Sequence, residues 1–251
     1  MSQILVTTDA QIRTITLNRP EKRNALNDEL VADLKAALTD ADADDDLRAI
    51  ILRGAGKDFC SGADLSALQK IAKASYEENL EDARSLAELF LLIRSVKIPV
   101  IAAIHGRALA GGCGLATACD LVVATKTARF GYPEVKIGFV PAMVAAILRR
   151  NLGEKKSFEL LTQGFEYTAE EALTLGLVNR TFDEENFEIA VVDYASTYTK
   201  VSRSAVEMTK GLLYDIDGDA FEIAVEKGVV VNANARRTYD CQKGIAKFVE
   251  R

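Results

Sequence analysis

The fold is decided by a run of small residues in the middle of the chain, Ala110-Gly111-Gly112-Cys113-Gly114-Leu115-Ala116. This run follows an apolar strand pattern and opens a helical one. Glycines let a ligand come close to the main chain, and free N–H groups at a helix start point toward negative charge. A second loop, Cys60-Ser61-Gly62-Ala63-Asp64-Leu65, has the same setting. One N–H from each loop can therefore converge on a single oxygen, although tight strand–helix packing at both places explains the pattern equally well.

Outward from these loops, strand and helix patterns alternate. Apolar alternation in residues 4–17 predicts two strands with a turn at 9–11, and Asn27 or Asp28 is placed to cap a helix that ends in an acidic turn at 40–46. The other predicted elements are strands at 49–53, 99–104 and 121–124, a loop running into a short helix at 106–119, and helices at 77–95, 205–214, 220–234 and 239–249. The pattern after residue 140 is mostly helical. This order predicts an α/β core over residues 1–195 and a C-terminal helical subdomain over 196–251, used in oligomer packing.

Composition excludes several classes of protein. The chain has 251 residues with a formal net charge of −6, and 49% of them are hydrophobic, as in an ordinary globular domain. An acidic chain without a basic run does not suit nucleic-acid binding, which needs clustered cations. The N-terminus lacks the basic and apolar regions of a secretory signal, and no apolar run is long enough to span a bilayer. Four cysteines without a CxxC pair and a single histidine argue against disulfides and metal sites. We expect a cytoplasmic protein that binds no membrane, nucleic acid or metal.

Other motifs are weaker. Gly112-x-Gly114-x-x-Thr117 is placed like a dinucleotide fingerprint, but the third glycine is missing and no acidic residue ends the next strand. No Walker A pattern and no GxSxG elbow occurs. His105, at a strand end, is expected to be packed or to cap a turn, and Asp120 to be a cap or a buried salt-bridge partner. A lone glutamate after proline, such as Glu134, is usually solvated.

In combination, these stretches resemble the crotonase family, the enoyl-CoA hydratase/isomerase superfamily. The likeness covers essentially the whole chain with the spacing of the family. The matching stretches are Asn18-Arg19-Pro20, Asn24-Ala25-Leu26-Asn27, Phe59-Cys60-Ser61-Gly62-Ala63-Asp64-Leu65, residues 99–106, residues 110–116, Cys119-Asp120-Leu121, Phe130-Gly131-Tyr132-Pro133-Glu134, Ile137-Gly138-Phe139-Val140-Pro141, residues 169–172, Gly176-Leu177-Val178 and Phe248-Val249-Glu250.

The resemblance implies a spiral of strand-strand-helix turns with a C-terminal helical subdomain, assembled as a homotrimer or a hexamer. It places an oxyanion hole at the backbone N–H groups of Ala63 and Gly111, which would hold the thioester carbonyl of an acyl-CoA substrate, and it makes Glu134 the acid/base. No cofactor is implied apart from coenzyme A as part of the substrate. Lys247 or Arg251 of a neighbouring subunit would reach the adenine pocket. The implied substrate-binding residues are Lys22, Arg23, Asn24, Ser61, Asp64, Leu65, Gly112, Gly114, Tyr132, Pro133 and Pro141.

One position departs from the family pattern. Many hydratases of the family hold water between two glutamates, at the positions of residues 114 and 134, and here the first is Gly114. Members with a single glutamate at the later position include enoyl-CoA isomerases and feruloyl-CoA-type hydratase-lyases. Tyr132 is an auxiliary proton donor or an ordinary packed tyrosine. The stretch Pro141-Ala142-Met143-Val144-Ala145 is bulkier than the usual glycine-rich segment, which indicates an altered acyl pocket.

The resemblance therefore implies hydration of a 2-enoyl-CoA, or the reverse dehydration, with one glutamate, in fatty-acid metabolism. Double-bond isomerisation is the alternative enzymatic function. A non-catalytic acyl-CoA-binding scaffold is a third possibility, against which the retention of Glu134 and of both loops argues. A serine protease of related spiral fold is disfavoured because no serine and histidine stand in a suitable arrangement.

Overall fold

The computed structural model describes residues 2–250. Its strands are β1 (Ile4–Asp9), β2 (Ile12–Leu17), β3 (Ala49–Gly54), β4 (Val100–Ile104), β5 (Arg107–Leu109), β6 (Leu121–Thr125), β7 (Arg129–Gly131), β8 (Glu166–Thr168) and β9 (Arg180–Phe182). Its α-helices are α1 (Asp28–Ala43), α2 (Leu65–Ile71), α3 (Tyr76–Ser95), α4 (Gly111–Ala118), α5 (Ala142–Asn151), α6 (Glu154–Gln163), α7 (Ala169–Thr174), α8 (Phe187–Ser196), α9 (Arg203–Asp215), α10 (Phe221–Ala235) and α11 (Tyr239–Val249).

The strands form two sheets that are joined turn by turn. The larger sheet has the order β1-β2-β3-β4-β6-β9, in which only β1 and β2 are antiparallel. The smaller sheet has the order β5-β7-β8, and isolated bridges between Leu26 and Ala63 and between Cys60 and Ala108 continue its line. The strands β2, β3, β4 and β6 are each followed by an extended segment of the second layer and then by a helix. This confirms the predicted spiral of strand-strand-helix turns.

The middle strands of the large sheet, β3, β4 and β6, are buried on both faces, which explains why almost all their residues are apolar. All residues of β4 are buried, as is usual for a parallel sheet covered by helices. One face belongs to the main core, with Leu34, Phe90 and Leu115. On the other face Ile51 and Ile101 pack against Phe187 of α8. The buried middle of the sheet holds β4 rigidly, and β4 leads directly to the start of α4.

A buried ion pair joins α9 to this core. The Lys210 Nζ lies 2.7 Å from Asp120 Oδ2 and donates to the Ile98 carbonyl at 3.1 Å. The Tyr214 hydroxyl donates to Asp120 Oδ1 at 2.5 Å. The expectation of a buried salt-bridge partner at residue 120 is confirmed. By contrast, α10 and α11 contain no buried residue, and the division at residues 195 and 196 stays a prediction.

Several elements differ from the sequence predictions. Residues 107–109, predicted as loop, form β5, and β7, β8 and β9 were not predicted because three-residue strands carry no measurable alternation. The helix α1 continues to Ala43, into the stretch 40–46 that was predicted as an acidic turn. His105 is half-buried, and its Nε2 forms a hydrogen bond of 2.9 Å with the carbonyl of Gly56. Between residues 2 and 250, no helix has both the length and the apolar character needed to cross a bilayer.

Candidate active site

The two small-residue loops lie against each other. A Cβ on Gly62 would be 2.8 Å from the Cβ of Ala110 and 3.6 Å from the Gly111 nitrogen. Backbone hydrogen bonds from Cys60 N to Arg107 O (3.1 Å) and from Leu109 N to Cys60 O (3.0 Å) join the segments that carry the loops. The prediction that the loops come together is therefore met by direct contact.

Close packing shapes the start of α4. A Cβ on Gly112 would lie 2.4 Å from the Cys60 carbonyl oxygen, so only glycine fits without displacing the backbone. Ala110, at the N-cap, has φ of 50° and ψ of −128°, an unfavourable conformation for a residue with a Cβ. Its N–H is bound to the Gly131 carbonyl at 2.8 Å, which holds the turn. Strained backbone of this kind is common at functional sites.

The Ala63 and Gly111 N–H groups have no acceptor in the part of the chain that the structure describes. The neighbours of Ala63 are both bonded to Leu26, because Leu26 N donates to Gly62 O at 2.7 Å and Asp64 N donates to Leu26 O at 2.8 Å. Ala63 is exposed and Gly111 is half-buried. Each of the two touching loops thus has one backbone N–H donor that is available to a ligand.

Glu134 lies on a short 3-10 helix, Pro133–Ile137, that follows β7. Its Oε2 atom is buried and has no hydrogen-bond partner among the described residues. Burial raises the pKa of this carboxyl above its ordinary value. The carboxylate is close enough to α4 for its charge to add to burial in raising the pKa of the Cys113 thiol. A half-buried carboxylate with an unsatisfied oxygen suits proton transfer near neutral pH.

An apolar wall, formed by Phe90 and Val144, covers Gly114. A Cβ on Gly114 would lie 2.7 Å from Val144 Cγ2 and 3.1 Å from Phe90 Cζ. The volume that a side chain at residue 114 would need is therefore filled by carbon atoms. Sequence reasoning missed this wall; the bulky stretch around Val144 was a signal, but nothing in the spacing of α3 indicated that Phe90 reaches Gly114.

Tyr132 lies in the interior beneath α4. It is fully buried, and its hydroxyl is 3.3 Å from Thr117 Oγ1. Burial raises its pKa well above the ordinary tyrosine value. Its neighbour Tyr167 is 3.5 Å from the Cys113 Sγ. The tyrosine is packed as a core residue, and an added part in proton donation stays a prediction.

The predicted coenzyme A region divides into exposed and buried residues. Lys22 and Arg23 are exposed, beside the 3-10 turn Pro20–Lys22, and Ser61 is half-buried. Asn24 is fully buried, with its Nδ2 donating to the Ala55 and Asp58 carbonyls, each at 2.8 Å. The Asn24 side chain therefore holds the loop together, and its direct contact with substrate stays a prediction.

The remaining predicted residues differ in burial and in their place in the fold. Asp64 is buried and paired with Arg19, whereas Leu65 is 70% exposed. Pro133 begins the 3-10 helix of Glu134, and Pro141 is the N-cap of α5. Lys247 lies on exposed α11. Arg251 lies outside the described residues. Residues 2–250 contain no cluster of three or more His, Cys, Asp or Glu side chains that would hold a metal ion.

Both the sequence and the structure of the chain are similar to those of known proteins. The sequence profile of the enoyl-CoA hydratase/isomerase family matches residues 7–251. A Thermus thermophilus protein provisionally named as an enoyl-CoA hydratase is 41% identical over 240 residues, covering 96% of this chain and 95% of the relative. The 2,3-dehydroadipyl-CoA hydratase of Escherichia coli K12 is 31% identical over 252 residues, covering 100% and 97%. The crystal structure of a Mycobacterium smegmatis enoyl-CoA hydratase superposes with a TM-score of 0.95 at 33% identity, covering 100% of this chain and 97% of that one.

Proposed function

The chain belongs to the enoyl-CoA hydratase/isomerase family, and we propose from this membership that it hydrates the double bond of a 2-enoyl-CoA. The thioester oxygen would accept hydrogen bonds from Ala63 and Gly111. Because both N–H groups lack acceptors in the described chain, a substrate oxygen would satisfy them without breaking existing bonds. Loss of one such donor typically costs about 3 kcal/mol of transition-state stabilisation.

Glu134 would move the protons in this reaction. Its carboxylate takes a proton from water as the water oxygen bonds to the β-carbon, and the electrons of the double bond move onto the thioester oxygen as an enolate. The carboxylic acid then returns the proton to the α-carbon, so that one water is added overall and Glu134 is regenerated. The observation that carries the proposal is the buried, unpartnered Oε2 of Glu134.

Glu134→Gln tests this role. The amide keeps the shape of the side chain but accepts no proton, so we expect crotonyl-CoA hydration to fall by about 10²- to 10⁴-fold. Binding of the thioester, measured by calorimetry, should persist because the loops are unchanged. Wild-type turnover in the variant would exclude Glu134 as the acid/base.

Isomerisation of a 3-enoyl-CoA is the second candidate, and the apolar wall over Gly114 favours it. A single carboxylate can carry a proton from the α-carbon to the γ-carbon, whereas no second carboxylate holds water at residue 114. Hydration of crotonyl-CoA and isomerisation of a 3-enoyl-CoA should be measured side by side on one preparation. The faster reaction identifies the activity, and binding without either reaction would support the scaffold function.

The proposed assembly is a homotrimer or a hexamer. Its support is the exposed apolar surface of α10 and α11, where Phe221 and Phe248 are each 78% exposed. Large apolar patches on a folded chain mark contact surfaces. Sedimentation velocity gives the number of subunits directly.

A further inference from the structure

A buried ion pair lies directly beside Ala63 and is used by none of the steps above. Arg19 Nη2 is 2.7 Å from Asp64 Oδ2, and the two side chains are only 13% and 7% exposed. The other carboxylate oxygen, Oδ1, accepts from the Ser66 N–H and from the Ser66 hydroxyl, both at 2.9 Å. The Ser66 N–H, and then Arg19, hold the pKa of Asp64 at about 2. Both oxygens of Asp64 are thus occupied within the protein.

Arg19 also holds the segment that faces Ala63. Its Nη1 donates to the Ala25 carbonyl, next to Leu26. Leu26 in turn bonds to Gly62 and to Asp64 on the two sides of Ala63. The Arg19 guanidinium therefore contacts both of the chain segments that pair here, the one with Leu26 and the one with Ala63. The hydrogen bonds of Gly62 and Asp64 hold the backbone on either side of Ala63, while the Ala63 N–H itself has no acceptor among the described residues.

We propose that Arg19 is a positioning residue for the oxyanion hole, which it serves by fixing Asp64 and the Ala25 carbonyl so that the Ala63 N–H points at the thioester oxygen. This inference rests on the proposed function. Arg19 acts through geometry, because its charge is neutralised by Asp64 at 2.7 Å. Lysine cannot replace it, since a single ammonium group does not reproduce the planar fork that reaches two acceptors.

The inference predicts a kinetic effect that differs from simple destabilisation. A misdirected donor weakens binding of the enolate more than binding of the neutral thioester. We expect Arg19→Lys to lower kcat by about 10- to 100-fold, less than the full loss of one donor, while KM changes by less than about threefold. Asp64→Asn keeps a side-chain oxygen for Ser66 but removes the ion pair, and it should reduce kcat in the same way.

Arg13→Lys is the matched control. Arg13 lies on β2, is 11% exposed on its side chain, and pairs with Asp44 at 3.1 Å, but it has no bond to either loop. The same substitution at a similar degree of burial should leave kcat, corrected for the folded fraction, unchanged. A fall in kcat of Arg13→Lys as large as that of Arg19→Lys would overturn the positioning role.

The decisive readout is the infrared carbonyl stretch of isotopically labelled crotonyl-CoA bound to the Glu134→Gln enzyme, which is expected to bind the thioester without hydrating it. Hydrogen bonds to the thioester oxygen lower this frequency. The Glu134→Gln enzyme should therefore show a shift to lower frequency, the same enzyme carrying Arg19→Lys or Asp64→Asn a smaller shift, and the same enzyme carrying Arg13→Lys the full shift. A full shift with both Arg19→Lys and Asp64→Asn would overturn the inference alone. No shift in the Glu134→Gln enzyme itself would overturn the proposed oxyanion hole, and the inference with it.

Discussion

Large apolar side chains of the spiral, such as Phe59 and Leu34, are at most 1% exposed, whereas Phe221 of α10 and Phe248 of α11 are each 78% exposed. The sequence patterns of the two regions are similar, because both carry apolar residues at regular spacing. Only the spiral buries them within one chain. The link between the two regions is α9, which the Lys210–Asp120 pair joins to the core.

The buried apolar residues of the spiral stabilise the single chain, whereas the exposed apolar residues of α10 and α11 are available for contact with a second chain. Removing an interaction in the spiral should lower the free energy of unfolding. Removing an apolar side chain from α10 or α11 should change association instead. The following predictions test the contrast at four positions, in order of decreasing effect on the stability of a single chain.

Lys210→Met should have the largest effect. It leaves the Asp120 carboxylate buried without its cation, and breaking a buried pair in this way typically costs about 3 to 5 kcal/mol. Urea unfolding measures the loss. Lys70→Met is the control, since Lys70 and Asp28 form a pair in which both side chains are more than half exposed; it should give no measurable change. Equal stability of the two variants would contradict the role of α9 as the link.

Gly112→Ala should be the next most damaging change. The added methyl group would lie 2.4 Å from the Cys60 carbonyl, and overpacking of this kind costs about 3 kcal/mol. Activity should fall as well, because Gly111 and Cys60 belong to the touching loops. Gly211→Ala, on α9 with nothing within 4 Å of the new methyl, should instead stabilise the chain by up to about 1 kcal/mol. Urea unfolding curves measure both changes, and equal stability of the two variants would contradict the close packing at Gly112.

Glu134→Gln should stabilise the protein slightly at neutral pH. Burial raises the pKa of this carboxyl above its value in the unfolded chain, 4.5, so the native state favours the protonated form. The protonated carboxyl is therefore fully tolerated in the folded chain below pH 4.5, and the stability associated with protonation is lost as pH rises through the folded-state pKa. The glutamine amide is neutral at every pH and does not carry this cost. We expect the free energy of unfolding at pH 7 to rise by less than about 1 kcal/mol, since solvent screens the half-exposed group. A gain of equal size at pH 4 would contradict this origin.

Phe248→Ser should have the smallest effect on the single chain. The ring is exposed, so its removal leaves no cavity. We expect unchanged unfolding of the dilute protein but weaker association in sedimentation velocity, because the apolar surface of α11 is reduced. Lys243→Ser on the same helix is the control and should leave association unchanged. Identical sedimentation of the Phe248→Ser variant and the wild type would exclude this side chain from the subunit contact.

The sequence predicted the long elements and the glycine loops because their signals are local. Asn27 does cap α1, with its Oδ1 accepting from Leu30 N at 2.9 Å, and α3 extends only one residue beyond its predicted start. The strands β5, β7 and β8 are too short for a periodic signal, and they form because neighbouring turns of the spiral supply their partners. The pairing of Arg19 with Asp64 also lies beyond local reasoning, since 45 residues separate the two.

The apolar wall over Gly114 also limits which side chains residue 114 can accept. A glutamate there would bring its Cβ to 2.7 Å from Val144 Cγ2 and to 3.1 Å from Phe90 Cζ. The single substitution Gly114→Glu would therefore destabilise this chain through overpacking. A second carboxylate can be introduced opposite Glu134 only together with changes in the neighbours that now fill its space.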